Sequence, residues 1–166
     1  MITIRFVSNE DIPHIQSIAY ETWNYTYKGI YSEGYIQNFL SRAYSDENLS
    51  RSVERDLQSA QRHYLIAEFN DKVVGYAQTR QVKEEEYELL RIYIRPEYHN
   101  MGIGKEFIQR YTQILKPINK LFAWVGKENH RGRAFYEKSG FKEIEEMIET
   151  IEGQSKTQVK YELDIS

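Results

Sequence analysis

The segment His99-Asn100-Met101-Gly102-Ile103-Gly104-Lys105 constrains this chain most, because it joins a strand pattern to a helix pattern through two closely spaced glycines. Before it, Tyr87 to Ile94 reads as a strand that ends at Arg95-Pro96, since Pro cannot donate to a sheet ladder. After it, Gly102 to Lys116 puts Ile103, Phe107, Ile108, Tyr111 and Leu115 on one side of a helix that Pro117 stops. Glycines let a backbone turn tightly and approach a ligand closely. The N–H groups of a first helical turn then point at one spot and favour an anion. The bland alternative is a helix start that uses its glycines for turn geometry alone. Two common phosphate motifs fail here. A Walker loop needs Gly at 99 and Ser or Thr after Lys105, where His99 and Glu106 stand; a dinucleotide fingerprint needs a third Gly where Phe107 stands.

The remaining patterns predict a mixed α/β sheet. Ile2, Ile4 and Phe6 alternate as an opening strand, and Ser8 with Asp11 marks a helix start before the apolar stripe Ile12, Ile15, Ile18 and Ala19. Thr22 to Tyr35 reads as a loop or broken helix; Tyr35 to Ala43 and Glu47 to Arg62 read as helices. His63 to Phe69 and Lys72 to Gln81 form strands around an Asn70-Asp71 hairpin turn. Lys120 to Gly126 is an apolar strand, Gly132 to Ser139 a short helix closed by Gly140, and two strands flank Gly153. This order gives one domain over 1–166 with a sheet largely antiparallel through its first half.

Composition narrows the function. With 166 residues and a formal net charge of -3, nothing calls for nucleic acid or an acidic membrane. The absence of Cys removes disulfides, Cys-based metal sites and a thiol nucleophile together, and no metal is expected. The N-terminus has no signal-peptide core, and Leu121 to Val125 is too short to span a bilayer, so a cytoplasmic location is expected.

A second segment gives the glycine loop its meaning: Asn129-His130-Arg131-Gly132-Arg133-Ala134-Phe135-Tyr136-Glu137-Lys138-Ser139-Gly140-Phe141. The two segments, in this order, resemble the Gcn5-related N-acetyltransferase (GNAT) family over essentially the whole chain. The first is similar to that family's Arg/Gln-x-x-Gly-x-Gly/Ala pyrophosphate loop, and the second to its Asn-x-x-(small)-x-x-(apolar)-Tyr-Glu-Lys-x-Gly-Phe helix. His99 departs from the pattern by standing at the Arg/Gln position. The resemblance implies a GNAT fold, its sheet flanked by helices and splayed between the fourth and fifth strands.

It also implies a chemistry: transfer of acetyl from acetyl-CoA to a primary amine by direct attack within a ternary complex. The backbone of Ile92, Tyr93 and Ile94 would pair with pantetheine like an added strand, with the Ile92 N–H facing the thioester oxygen. His99, Asn100, Met101, Gly102, Ile103, Gly104 and Lys105 would hold the pyrophosphate. Tyr136 matches the acid that meets the departing thiolate, or is simply a packed helix tyrosine. Glu88 resembles the general base and shares strand parity with Ile92 and Ile94; it reads equally as a solvent-facing charge beside Glu84, Glu85 and Glu86. Asn129 would contact the cofactor, cap its helix, or do both. Lys105, Arg131 and Arg133 meet CoA phosphates or only solvent. The lack of Cys rules out an acetyl-Cys intermediate.

For the acceptor, Glu21-Thr22-Trp23-Asn24-Tyr25-Thr26-Tyr27 is similar to the same region of bacterial polyamine acetyltransferases, with a weaker match at Arg91 to Ile94. Aromatic faces at Trp23, Tyr25 and Tyr27, with carboxylates at Glu21, Glu84, Glu85, Glu86 and Glu88, suit a small polycation. The aromatics serve otherwise as loop anchors. A protein N-terminus or lysine remains open as acceptor, as do a non-catalytic acyl-CoA sensor on the same fold and a homodimer.

Overall fold

The computed structural model describes residues 1–151 and 153–165, with only the backbone at 151. The described residues form seven strands, β1 (Ile2–Phe6), β2 (Tyr64–Phe69), β3 (Lys72–Lys83), β4 (Glu86–Ile94), β5 (Lys120–Gly126), β6 (Lys142–Ile151) and β7 (Gln154–Asp164). Five α-helices join them: α1 (Ile12–Tyr27), α2 (Glu33–Ala43), α3 (Asp46–Leu57), α4 (Ile103–Ile114) and α5 (His130–Lys138). The strands hydrogen-bond in the order β1-β2-β3-β4-β5-β7-β6. This is the expected GNAT-like sheet, mostly antiparallel, with β4 and β5 parallel.

The chain forms two compact units. The first comprises residues 1–78 and 91–114. Here β1 pairs with β2, and β2 with β3, through a turn in which Asn70 (φ 50) and Asp71 (φ 66) are both left-handed. That geometry matches the twist of the flanking strands, which is why an Asn-Asp pair works there. Leu65, Ile66 and Ala67 are buried in succession, so β2 is covered on both faces. Helix α1 is introduced by Ser8, whose N–H donates to the Asp11 carboxylate at 2.8 Å while Arg5 holds the same carboxylate.

Two helix boundaries differ from expectation. Helix α1 runs unbroken through Trp23, Tyr25 and Tyr27, and the break falls at residues 28–32 instead. The reason is burial on one stripe: Ile15, Ile18, Ala19, Thr22 and Trp23 all face the core, and the Thr22 hydroxyl donates back to the Ile18 carbonyl at 2.8 Å. Left-handed Gly29 (φ 87) then turns the chain, and Ser32 caps α2 by accepting from the Tyr35 N–H. Helix α3 ends at Leu57, short of Arg62, because Asp56 draws in both the His63 N–H (2.7 Å) and the Arg62 guanidinium (2.8 Å).

The second unit comprises residues 79–90 and 115–166 as far as described. Strand β5 alternates, with Leu121, Ala123 and Val125 buried, and pairs with β7 along its whole length, from Lys120↔Asp164 to Gly126↔Gln158. Its pairing with β4 is much shorter: Glu86↔Lys120, Tyr87↔Leu121 and Glu88↔Phe122. Beyond Phe122 the strand stays paired on its β7 edge while the β4 ladder has stopped, which is the expected splay.

Candidate active site

In the first unit, β4 leads through a 3-10 turn at Pro96–Tyr98 into the glycine loop. The backbone is left-handed at Asn100 (φ 66) and Gly102 (φ 83). Asn tolerates that conformation better than most residues and Gly without strain. A Cβ built on Gly102 would meet nothing within 4 Å, so the glycine serves backbone conformation and an open approach rather than packing. Ile103 is buried and Phe107 follows it into the core, which anchors the start of α4. Among the described residues, no carbonyl or side chain accepts from the N–H groups of Asn100, Met101, Gly102, Ile103, Gly104 or Lys105. The first protein-satisfied amide is that of Glu106, which donates to Gly102 at 3.1 Å. Unsatisfied donors at a helix start, beside left-handed turns, fit a phosphate.

His99 does something other than what its position implied. Its Nε2 lies 2.9 Å from the Ile94 carbonyl oxygen; a carbonyl only accepts, so Nε2 carries the proton and donates. The imidazole therefore ties the loop back to the end of β4. Tyr25 meets the same ring edge-on at 5.7 Å. Arg95 braces this end from the other direction, donating to Glu21 (2.9 Å), Ser17 (3.1 Å) and the Val73 carbonyl (3.2 Å). Gly75 makes that approach possible: a Cβ there would lie 2.9 Å from the Tyr93 carbonyl oxygen and 3.1 Å from Ile94 Cγ1. The sequence reading did not single out Gly75, and an isolated Gly inside a strand pattern is the signal that marks such an approach.

The acceptor candidates separate. Trp23 is buried, stacked on Phe39 (4.1 Å) and tilted against Tyr27 (4.4 Å), and its indole N–H donates to the Tyr93 hydroxyl at 3.2 Å. Tyr93 thus commits its side chain to the aromatic cluster. Tyr25 is exposed. Of the carboxylates expected to attract a polycation, Glu21 pairs with Arg95, Glu86 with Lys83 and Glu88 with Arg80.

In the second unit, Asn129 caps α5 by accepting from the Gly132 N–H at 2.9 Å. A Cβ on Gly132 would sit 2.7 Å from Asn129 Nδ2 and 3.0 Å from Val125 Cγ2, so the small residue in this motif is required by the cap itself. Tyr136 is buried, stacked on Tyr161 at 5.7 Å and 22°, and set edge-on against Phe141 at 5.2 Å. Tyr161 in turn accepts from Arg133 Nε (3.1 Å) and donates to Glu137 (2.9 Å); burial pushes its phenol pKa up, with Arg133 pulling the other way. The support that Tyr161 gives Tyr136 is hidden in the sequence, because Tyr161 lies on β7 and meets α5 only in the fold. Glu88 has a largely buried side chain, 12% exposed, held by Arg80 Nη2 at 2.8 Å.

Among the described residues there is no cluster of His, Cys, Asp and Glu able to hold a metal ion, and no helix long and apolar enough to cross a membrane.

The sequence matches the acetyltransferase (GNAT) family over residues 30–141. A spermidine N(1)-acetyltransferase from Thermoplasma acidophilum is 34% identical over 143 residues, covering 85% of this chain and 88% of that protein. The crystal structure of a PaiA N-acetyltransferase from Thermoplasma acidophilum in complex with coenzyme A superposes with a TM-score of 0.81 at 31% identity, covering 99% of each chain. The ribosomal-protein-S18-alanine N-acetyltransferase of Escherichia coli shares the fold, with a TM-score of 0.71 at 20% identity over 100% of this chain and 95% of that one. The family match and the identity to the Thermoplasma enzyme both extend over most of the chain, and on those two findings this chain belongs to the acetyltransferase (GNAT) family.

Proposed function

We propose that the chain, acting as one catalytic domain over 1–166, moves an acetyl group from acetyl-CoA to a primary amine on a small molecule, by direct attack. The observation that carries this reading is the run of protein-unsatisfied amides from Asn100 to Lys105. It is a donor set of the kind a pyrophosphate requires, in a family whose relative crystallised with coenzyme A. His99 supports this set by bracing it rather than by touching phosphate. Pantetheine pairing rests on the backbone of Ile92 and Ile94, and the Ile92 N–H is also the proposed donor to the thioester oxygen.

The amine nitrogen forms a bond to the thioester carbon, the carbon–sulfur bond breaks, and the amine loses one proton while the thiolate gains one. We assign the first proton to Glu88 and the second to Tyr136. A phenol hydroxyl can pass its proton, or a hydrogen bond, to a departing thiolate. Asn129, by capping α5, fixes the helix that carries Tyr136. A polyamine is the favoured acceptor because a relative 34% identical is a spermidine acetyltransferase and because α1 exposes the ring of Tyr25. The test is acetyl-CoA turnover, read as released thiol, against spermidine, spermine, simple monoamines, an amino-terminal peptide and a lysine peptide. Turnover with none of the five defeats the enzymatic reading; turnover with peptides alone defeats the small-amine reading.

A further inference from the structure

Helix α5 packs on one face of the second unit's sheet, where Tyr136 stacks on Tyr161. The opposite face stays partly open: Glu88, Phe122, Trp124, Lys160 and Glu162 are half-buried, and Leu90 and Met147 are exposed. Strand register puts these side chains together. Phe122 on β5 is paired with Glu88 on β4 and with Glu162 on β7, and Trp124 is paired with Lys160. Directly paired residues share a face of the sheet. Lys160 stretches across this face, its Nζ 4.4 Å from the centroid of the Phe122 ring and 5.9 Å from that of Trp124. Lys120, Lys127 and Lys156 of the same unit each reach a carboxylate, at 3.5, 3.2 and 3.4 Å. Glu145 faces Lys160 across β6 and β7, yet among the described residues no carboxylate pairs with the Lys160 ammonium.

An aromatic ring attracts an ammonium through its negative face, whatever chain the ammonium belongs to. The rings that hold Lys160 also stand beside Glu88, one strand spacing of about 4.8 Å away. A diamine of a few carbons bridges that gap, with its reacting nitrogen at the carboxylate and its second nitrogen on the rings. We propose that Phe122 and Trp124 form a seat for the second ammonium of a di- or polycationic acceptor, filled by Lys160 in the free chain. The seat rests on the reading of Glu88 as the group that takes the amine's proton. Lys160 is then the residue that sets how tightly such acceptors bind, because they must displace it. Its flexible four-carbon stem lets the displaced ammonium swing toward Glu145, the residue opposite it on β6.

The experiment titrates the full chain, with coenzyme A present, with putrescine and spermidine, against butylammonium and sodium chloride at matched ionic strength, reading tryptophan fluorescence. Trp124 is the reporter, since the other Trp of the chain, Trp23, is buried in the first unit. Trp124→Phe keeps a ring in the seat and should remove the signal. Putrescine and spermidine are expected to saturate at concentrations roughly threefold or more below that of butylammonium. In Lys160→Gln their half-saturation falls roughly threefold or more, because the resident cation is gone, and in Phe122→Leu it rises by a similar factor. Lys142→Gln is the control, since it removes an equal charge from the same face away from the rings. A Lys160→Gln shift no larger than that of Lys142→Gln overturns the seat, as does unchanged half-saturation in Phe122→Leu or the lack of a response specific to the di- and polyamines. Should Phe122→Leu fail to fold, the two lysine variants decide between them. Coenzyme A binding and thiol release are measured on the same preparation, so a chain that acetylates amines but fails these titrations loses the seat and keeps the acetyl-transfer reading.

Discussion

Glu88 on β4 is gripped by Arg80 of the preceding strand, with Nη2 and Nε of the arginine 2.8 and 3.0 Å from the same carboxylate oxygen, Oε1. One oxygen of the carboxylate is therefore committed to the hairpin, and the other is the one available to an amine. Glu88→Gln keeps the shape and the Arg80 contact but removes the proposed base. It is expected to lower kcat/KM by about 10²-fold or more, with partial recovery at high pH as free amine accumulates. Steady-state kinetics from pH 6 to 10 check this; a wild-type pH profile in the variant removes Glu88 from the mechanism.

Tyr136→Phe preserves the ring that stacks on Tyr161 and meets Phe141. The fold and coenzyme A affinity should therefore hold while kcat falls about tenfold or more, if the lost hydroxyl is the proposed proton donor to the thiolate. Calorimetric coenzyme A binding alongside turnover separates the two effects.

Gly132→Ala brings a methyl group to 2.7 Å from Asn129 Nδ2, with Val125 Cγ2 blocking retreat at 3.0 Å. The cap has to open or the helix has to shift, and the expected loss is about 1–3 kcal/mol. Asn129→Ala removes the cap alone and should cost about 1 kcal/mol. Because the two act on one contact, the double variant is expected to lose less than the sum, which urea unfolding measures.

Gly75→Ala sets a Cβ 2.9 Å from a backbone oxygen, that of Tyr93, which has no rotamer by which to move away. A loss of about 1–3 kcal/mol is expected, together with weaker coenzyme A binding because the displaced strand carries Ile92 and Ile94. A fully stable variant with unchanged binding contradicts the close approach.

His63 is held below its ordinary 6.5 by burial, with Asp56 partly opposing. A histidine that binds its proton less readily when folded contributes stability that is whole above about pH 6.5 and is lost as pH falls toward the folded value. The urea midpoint should decline between pH 7 and pH 5, and His63→Gln should flatten that decline.

Local chemistry was enough to read the elements and the two family motifs from the chain. Alternation marks β5, the Asn70-Asp71 pair marks the β2–β3 hairpin, and the spacing of Gly102 and Gly104 before an amphipathic helix marks the turn into α4. Each of these is decided by neighbours within a few residues. The same locality misled at Trp23 to Tyr27, part of the aromatic, glycine-containing stretch Thr22 to Tyr35 that reads as a loop or broken helix. The helix persists there because one stripe of it is buried against distant residues.

What tertiary structure alone decided is pairing across long separations in sequence. His99 turns to the Ile94 carbonyl, Tyr136 rests on Tyr161, Glu88 is shared with Arg80, and Arg91 is surrounded by tyrosines from α2–α3, β2, β3 and its own strand. Periodicity shows which face a side chain occupies but not which partner waits there. That depends on strand order and register, which are set by the summed burial of the whole core.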